Sequence, residues 1–347
     1  MLVAKSWRHR SIDPSPAPVR GISPPGGLMM AHPVRRIRVA SLGLFGLLAA
    51  AQAYAYANEA PTSVAFAAQR TLEVLPSGHP VVLVGLNDLA PKRFVLDTAA
   101  SITTIMPKLR ADMPDMVAKS DGPPLQAAGG STAVETTIID RLHVAGRTFR
   151  KRELLLLPPG PTDKLGTDGI LGADIVANFV VEMDMPAGRW RMTDRIEPSM
   201  LDGIAGSVPF VLDDQRAPRL SVRVNGVDMP AILDTGARGT ILNWAAARAI
   251  GVSPDSPGVV KASDIKGASS HATASVETPL AELAIGPVNI ASPKVRVADL
   301  SVFKVLGFTL EQPAVILGID MFADRRFVID HLGLCLHIAP PARVTAS

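Results

Sequence analysis

A chain of 347 residues, 47% of them hydrophobic, is long enough for two domains of ordinary size and too apolar to be disordered. Its formal charge of +3 is no argument for nucleic acid, because seven of the 35 basic residues and one of the 32 acidic ones lie in residues 1–57, leaving 28 basic against 31 acidic in the rest. With aromatics at only 4%, the interior must be filled by Val, Ile, Leu, Ala and Met, and short Val- and Ile-rich runs among 28 Gly and 30 Pro favour strands joined by turns.

Residues 1–28 are rich in Pro, Arg and Ser and are excluded from the fold, with Met29 and Met30 as alternative translation starts to Met1. Arg35, Arg36 and Arg38 then form a basic start, Val39 to Ala51 is an apolar run, and Ala55-Tyr-Ala57 is a small-x-small site. This reads as a secretory signal cleaved after Ala57, and hence as a periplasmic or secreted protein. The competing reading is an uncleaved membrane anchor, since Val39 to Ala57 approaches spanning length. A lone cysteine, Cys335 in Leu334-Cys-Leu336, leaves no internal disulfide and reads as a small buried hydrophobe.

From Asn58 to Gly78 the chain reads as an approach segment, with a first strand expected within Phe66 to Val74. Val81-Val-Leu-Val-Gly-Leu86 is a strand, Asn87-Asp-Leu-Ala-Pro91 a turn, and Arg93-Phe-Val-Leu96 a second strand that delivers Asp97. Ile102 to Ile105 continues extended, and a short helix is predicted over Pro107 to Val117. The second half repeats this order. Leu220 to Val224 is a strand, Asn225-Gly226 a hairpin turn, and Met229 to Leu233 leads to Asp234; Thr240-Ile-Leu242 and a helix over Trp244 to Ile250 follow, closing at Gly251.

The correspondence runs to the end of each half. Small polar stretches, Gln126 to Thr132 and Ile265 to Ser270, are placed for mobile hairpin tips. Strand pairs follow, Glu135–Val144 with Arg147–Leu157 and Ser275–Ile285 with Val288–Val297. Gly169-Ile-Leu-Gly-Ala-Asp174 then matches Val315-Ile-Leu-Gly-Ile-Asp320, and Phe179 to Met192 matches Phe327 to Ile338. This is an internal duplication at a period of about 140 residues, too long for a solenoid and suited to two lobes. The lobes are assigned to 62–193 and 207–340, with a linker at 194–206.

The repeated unit, Phe94-Val-Leu-Asp-Thr-Ala-Ala100 and Ala231-Ile-Leu-Asp-Thr-Gly-Ala237, each followed by a glycine-bearing hairpin and then by Ile170-Leu-Gly172 or Ile316-Leu-Gly318, resembles the aspartic peptidase superfamily of pepsins and retropepsins. Bacterial retropepsin-like proteins are the nearest in kind, and the resemblance covers residues 75 to 340. It implies an all-β protein of two pseudo-symmetric retropepsin-like barrel lobes around a central cleft, working as a monomer on a peptide or protein substrate, with no metal or other cofactor. Asp97 and Asp234 take the catalytic positions. Thr98 and Thr235 take those of the paired threonines that brace the two turns, with Ala99, Gly236 and Arg238 beside them. Gly129, Gly130 and Gly267 fall in the flaps.

Two carboxyls that close cannot both ionise, so the pair holds one proton and can act as base on a water and as acid toward the scissile carbonyl. Ala99 stands where the motif has glycine, and Arg238 where the first half has Ser101; both changes lie beside the expected chemistry. The reading is therefore an aspartic endopeptidase, with a catalytically inactive peptide-binding relative as the alternative and an interaction scaffold as a third. Asp174 and Asp320 are expected to cap the short helices after them. His79, His143, His271, His331 and His337 lack metal-ligand spacing and are assigned to the surface or to satisfied core positions. Ser269-Ser270-His271 lacks the setting of a nucleophile elbow, and Trp190 and Trp244 read as packing residues.

Overall fold

The computed structural model describes residues 2–4, 70–120, 124–127, 130–267 and 272–342. The expected signal, the cleavage site after Ala57, Gly129 and Ser269-Ser270-His271 lie outside them. The described chain is mostly strand, with a few helices of one or two turns.

In the first half, the strand Pro80–Leu86 carries buried side chains on both faces and pairs antiparallel with Lys92–Leu96 in the register Val81 to Val95. Gly169–Leu171 adds parallel to Lys92–Leu96, Thr104–Ile105 runs antiparallel to Gly169–Leu171, and Arg147–Leu156 and Glu135–Val144 follow. Glu135–Val144 then returns to pair with Pro80–Leu86 through Val84 and Val144. Six strands thus close into a barrel, which removes its edges. Phe94, Leu96, Leu142, Leu154 and Leu171 fill it. Gly169 lets two strands meet, since a Cβ there would stand 2.3 Å from the Phe94 ring.

The second half repeats the core of this arrangement. Pro218–Val224 pairs with Val227–Leu233, Val315–Leu317 lies parallel to the latter, and Ile241–Leu242 and Lys294–Val297 continue the sheet. Here the ring stays open. The single long hairpin expected over Ser275–Ile285 and Val288–Val297 divides into Ala272–Pro279 with Lys294–Val297 and Glu282–Ile285 with Val288–Ala291. Pro279 and Pro293 bring no N–H to a continuous ladder, and Ser292 sits at φ 50°, so the strands break there. The helix Trp244–Ala249 is capped by Asn243, whose side chain accepts from Ala246 N–H. The first-half helix is shorter than predicted, a single turn at Leu109–Asp112, because Pro114 keeps Met113 out of the helical region.

Beneath both halves lies a five-stranded antiparallel sheet in the order Arg189–Thr193, Val180–Asp184, Arg325–Asp330, Cys335–Pro341 and Gly206–Pro209. Strands from the end of each half pair directly, Val180 opposite Asp330 and Asp184 opposite Arg326. Buried Val180, Met200 and Val328 pack on it, and Trp190 is buried in the main core. Trp244 is half-buried against the same core. Cys335 is half-buried rather than buried, because the side chains at this end of its strand alternate toward solvent. Leu2–Ala4, excluded from the fold on sequence grounds, pairs antiparallel with Leu125–Ala127, the open edge of the first flap hairpin.

Candidate active site

The two Asp-Thr turns stand at the ends of equivalent strands. Asp97 N–H donates to Leu171 O at 3.0 Å and Asp234 N–H to Leu317 O at 2.9 Å, so each aspartate is held by the strand that follows its own half's parallel pairing. A second aspartate braces each turn from behind. Asp174 Oδ1 accepts from Thr103 N–H and Oγ1 at 2.8 and 2.7 Å, and Asp320 accepts from Thr240 N–H and Oγ1 at 2.9 and 2.8 Å. Each threonine hydroxyl in turn accepts from the glycine of the Ile-Leu-Gly segment, Gly172 or Gly318, at 3.1 Å. The expectation that Asp174 and Asp320 cap helices is thus corrected. The caps are Gly172 and Gly318, without a side-chain bond, because the carboxylates are drawn inward to the threonines. Burial pushes both carboxyls above the usual carboxylate range.

Thr98 and Thr235 join the halves reciprocally. Thr98 Oγ1 donates to Leu233 O at 2.8 Å and accepts from Thr235 N–H at 3.2 Å; Thr235 Oγ1 donates to Leu96 O at 2.7 Å and accepts from Thr98 N–H at 3.1 Å. All four bonds are buried, where a lost partner is costly. A valine at either position would match the shape and lose two of them.

This lock sets the carboxyls face to face. Asp97 and Asp234 are 2% and 1% exposed, and their side chains are hydrogen-bonded to each other. Asp97 Oδ1 also accepts from Ala99 N–H at 2.9 Å and Ala100 N–H at 2.8 Å. Burial, and then the charge and hydrogen bond of Asp97, push Asp234 up to about 7. The glycine of the second turn has a steric reason: a Cβ on Gly236 would lie 2.3 Å from the Asp97 carboxyl carbon. Ala99 meets no such demand. It lies outside the positive-φ region, its amide serves Asp97, and its methyl is fully buried in a cluster with Ala217, Ile232 and Leu300 of the second half. The turn thus accommodates an alanine at this position while its amide holds Asp97.

The dyad floors a cleft of about 480 Å³ whose apolar wall includes Val95, Ile170, Ile241, Leu300 and Ile316. Gly267, at the end of the flap strand Val260–Lys266, lines it. Gly130 begins the returning strand Gly130–Thr132 of the other flap hairpin. Arg238 is exposed at the cleft wall, and among the described residues it forms no ion pair. His79, assigned to a bland role by sequence, also lines the cleft. Its ring bonds Ser77 Oγ at 2.8 Å and the backbone of Gly236, and burial lowers it to about 4, with Arg238 acting in the same direction against the charge of Asp97. A signal for it existed. In the hairpin register that sets Val81 opposite Val95, residue 79 falls opposite residue 97.

Comparison with known families gives a match to the aspartyl protease family over residues 82–175 and 220–321, once in each half and together more than half of the chain. Comparison with curated proteins gives no match.

Proposed function

We propose that this chain, which belongs to the aspartyl protease family, is an active endopeptidase that cleaves extended peptide segments with Asp97 and Asp234 as its catalytic pair. The observation that carries the reading is the hydrogen-bonded, buried carboxyl pair opening onto a cleft between two braced turns. Asp234, pushed up to about 7, holds the shared proton, while Asp97 faces the same space with its other oxygen tied to two amides.

In the first step Asp97 takes a proton from a water whose oxygen bonds to the scissile carbonyl carbon, and Asp234 donates its proton to the carbonyl oxygen. The resulting gem-diol collapses as the C–N bond breaks. The amine nitrogen takes the proton now on Asp97, and a hydroxyl proton returns to Asp234, so the pair ends as it began. Thr98 and Thr235 hold the two turns at a fixed separation throughout, and positioning of this kind is worth several orders of magnitude in rate. Gly267, at the end of its flap strand, and Gly130, in the other flap hairpin, are assigned to the backbone of the peptide.

The reading includes an exported protein, released by cleavage after Ala57 and working as a monomer, because both carboxyls come from one chain. Hydrolysis of a mixed peptide library by the full chain, compared with Asp97→Asn and Asp234→Asn, tests it. Turnover lost in both variants supports the pair. Turnover unchanged in either removes that residue from the mechanism, and peptide binding without turnover in the parent chain makes it a binding relative.

A further inference from the structure

The two halves of the site are copies in their backbone and differ in charge. Arg238 stands four residues after Asp234, where the first half has Ser101 after Asp97. A second substitution lies opposite it in the sheet. In the first half Thr104 pairs with Leu155, which is fully buried; in the second half Ile241, at the same distance from its aspartate, pairs with Arg296. At two equivalent positions the second half therefore carries an arginine where the first carries a small hydroxyl residue or a leucine.

Both arginines line the cleft. Arg296 is fixed through hydrogen bonds to Ser263 O and Ser275 Oγ, both neutral partners, and the acid that acts on its charge is Glu277, opposite it in the sheet. Arg238 lies close enough to Arg296 to lower it by repulsion, after the larger effect of burial. Glu277, the acid that opposes this shift, is 3.7 Å from Lys294 instead. Among the described residues neither arginine forms an ion pair. Lys266, on the flap strand above, adds a third cation to the same wall, against the single exposed carboxylate of Asp264. Two guanidiniums on one wall, one anchored by hydrogen bonds and one exposed, match the chemistry of a carboxylate.

Resting on the peptide-cleft reading above, we infer that Arg238 and Arg296 form an anion subsite on the second-half side of the cleft, which selects peptides bearing a carboxylate beside the scissile bond. The carboxylate belongs to an Asp or Glu side chain or to the peptide's own C-terminus. The first-half side sets the apolar Val95, Leu165 and Ile170 beside a single lysine, Lys164. The second-half side, with Arg238, Arg296 and Lys266, is thus the more cationic of the two.

The test separates binding from hydrolysis. The full chain carrying Asp234→Asn is titrated at pH 7 with three fluorescent octapeptides: one with an internal Glu and an amidated end, its Gln counterpart, and the Gln peptide with a free C-terminus. A carboxylate-bearing peptide is expected to bind about tenfold more tightly than the amidated Gln peptide, with the advantage shrinking as salt rises. The arm that gains identifies the source of the carboxylate. Arg238→Gln and Arg296→Leu, the latter restoring the first-half residue type, are each expected to abolish the preference. Equal binding of all three peptides, or a preference that survives both substitutions, overturns the subsite and leaves the cleft reading standing. Hydrolysis of the same peptides by the unsubstituted chain tests catalysis separately. Binding of none of the peptides sinks the cleft reading and the subsite together.

Discussion

The carboxyl of Asp97 occupies the space that a side chain on Gly236 would fill, 2.3 Å from the ideal Cβ position. The glycine of the second turn is therefore required by the first half's aspartate and not by its own backbone, and Ala99 carries no reciprocal burden. Gly236→Ala is expected to push the two carboxyls out of their hydrogen bond and reduce kcat by about 100-fold, the usual cost of a displacement near 1 Å at reacting groups. Ala99→Gly is expected to leave kcat within about threefold while lowering the melting temperature, since it removes a buried methyl from the Ala217 and Ile232 cluster. Steady-state kinetics and thermal unfolding of both variants check the asymmetry. Equal losses of kcat would sink it.

The elevated Asp234 carboxyl sets a pH limit. A carboxyl raised from 3.8 to about 7 keeps its proton in the folded state, so its contribution to stability is full below pH 3.8 and is lost as pH rises through about 7. The acid required at the scissile carbonyl disappears over the same range. The alkaline limb of kcat/KM is expected to fall with an apparent pKa of about 7, belonging to the pair. Asp234→Asn, which cannot titrate, is expected to show a flatter loss of thermal stability between pH 5 and 8 than the unsubstituted chain. An alkaline limb above pH 9 would contradict the assignment.

Removing one threonine hydroxyl should be felt in both halves. Thr235→Ala leaves Leu96 O and Thr98 N–H without their buried partner, at a cost of about 1–3 kcal/mol for each unsatisfied group. Thr235→Ser retains both bonds and is expected to recover most of that stability and of kcat. Urea denaturation paired with kinetics distinguishes the two. If alanine and serine variants match in stability, the reciprocal bonding does not hold the turns.

His331 gives the fold an acid weakness. Its ring is buried, bonds Phe179 O through Nδ1 at 2.9 Å, and lies edge-on to Phe210, and burial lowers it to about 4. The unfolded chain binds this proton near pH 6.5 and the folded chain does not, so stability falls as pH drops from 6.5 to about 4, by about 3 kcal/mol in all. His331→Gln removes the titration, and its melting temperature is expected to decline less over that interval. His79 shifts in the same direction and remains in the variant, so the difference between the two curves isolates His331. Parallel curves would remove it from the acid response.

The sequence alone determined the duplicated order of strands, the two Asp-Thr turns and the family that their setting resembles. These are local patterns, carried by apolar alternation and turn residues, and each half repeats them. Helix lengths were legible only in part, because the limit at Pro114 depends on one residue outside the apolar pattern. Tertiary structure decided what distant residues share. It turned Asp174 and Asp320 from helix caps into braces for Thr103 and Thr240, because a buried carboxylate goes to the donors that packing brings nearest. It opened the second barrel at Pro279 and Pro293. It also showed that the glycine at 236 and the alanine at 99, which look in sequence like an intact and a degraded copy of one motif, answer to different neighbours: a carboxyl from across the cleft in one case, and an apolar cluster in the other. A sequence lists each turn with its own flanks, and the space beside Gly236 is filled only when the two halves meet.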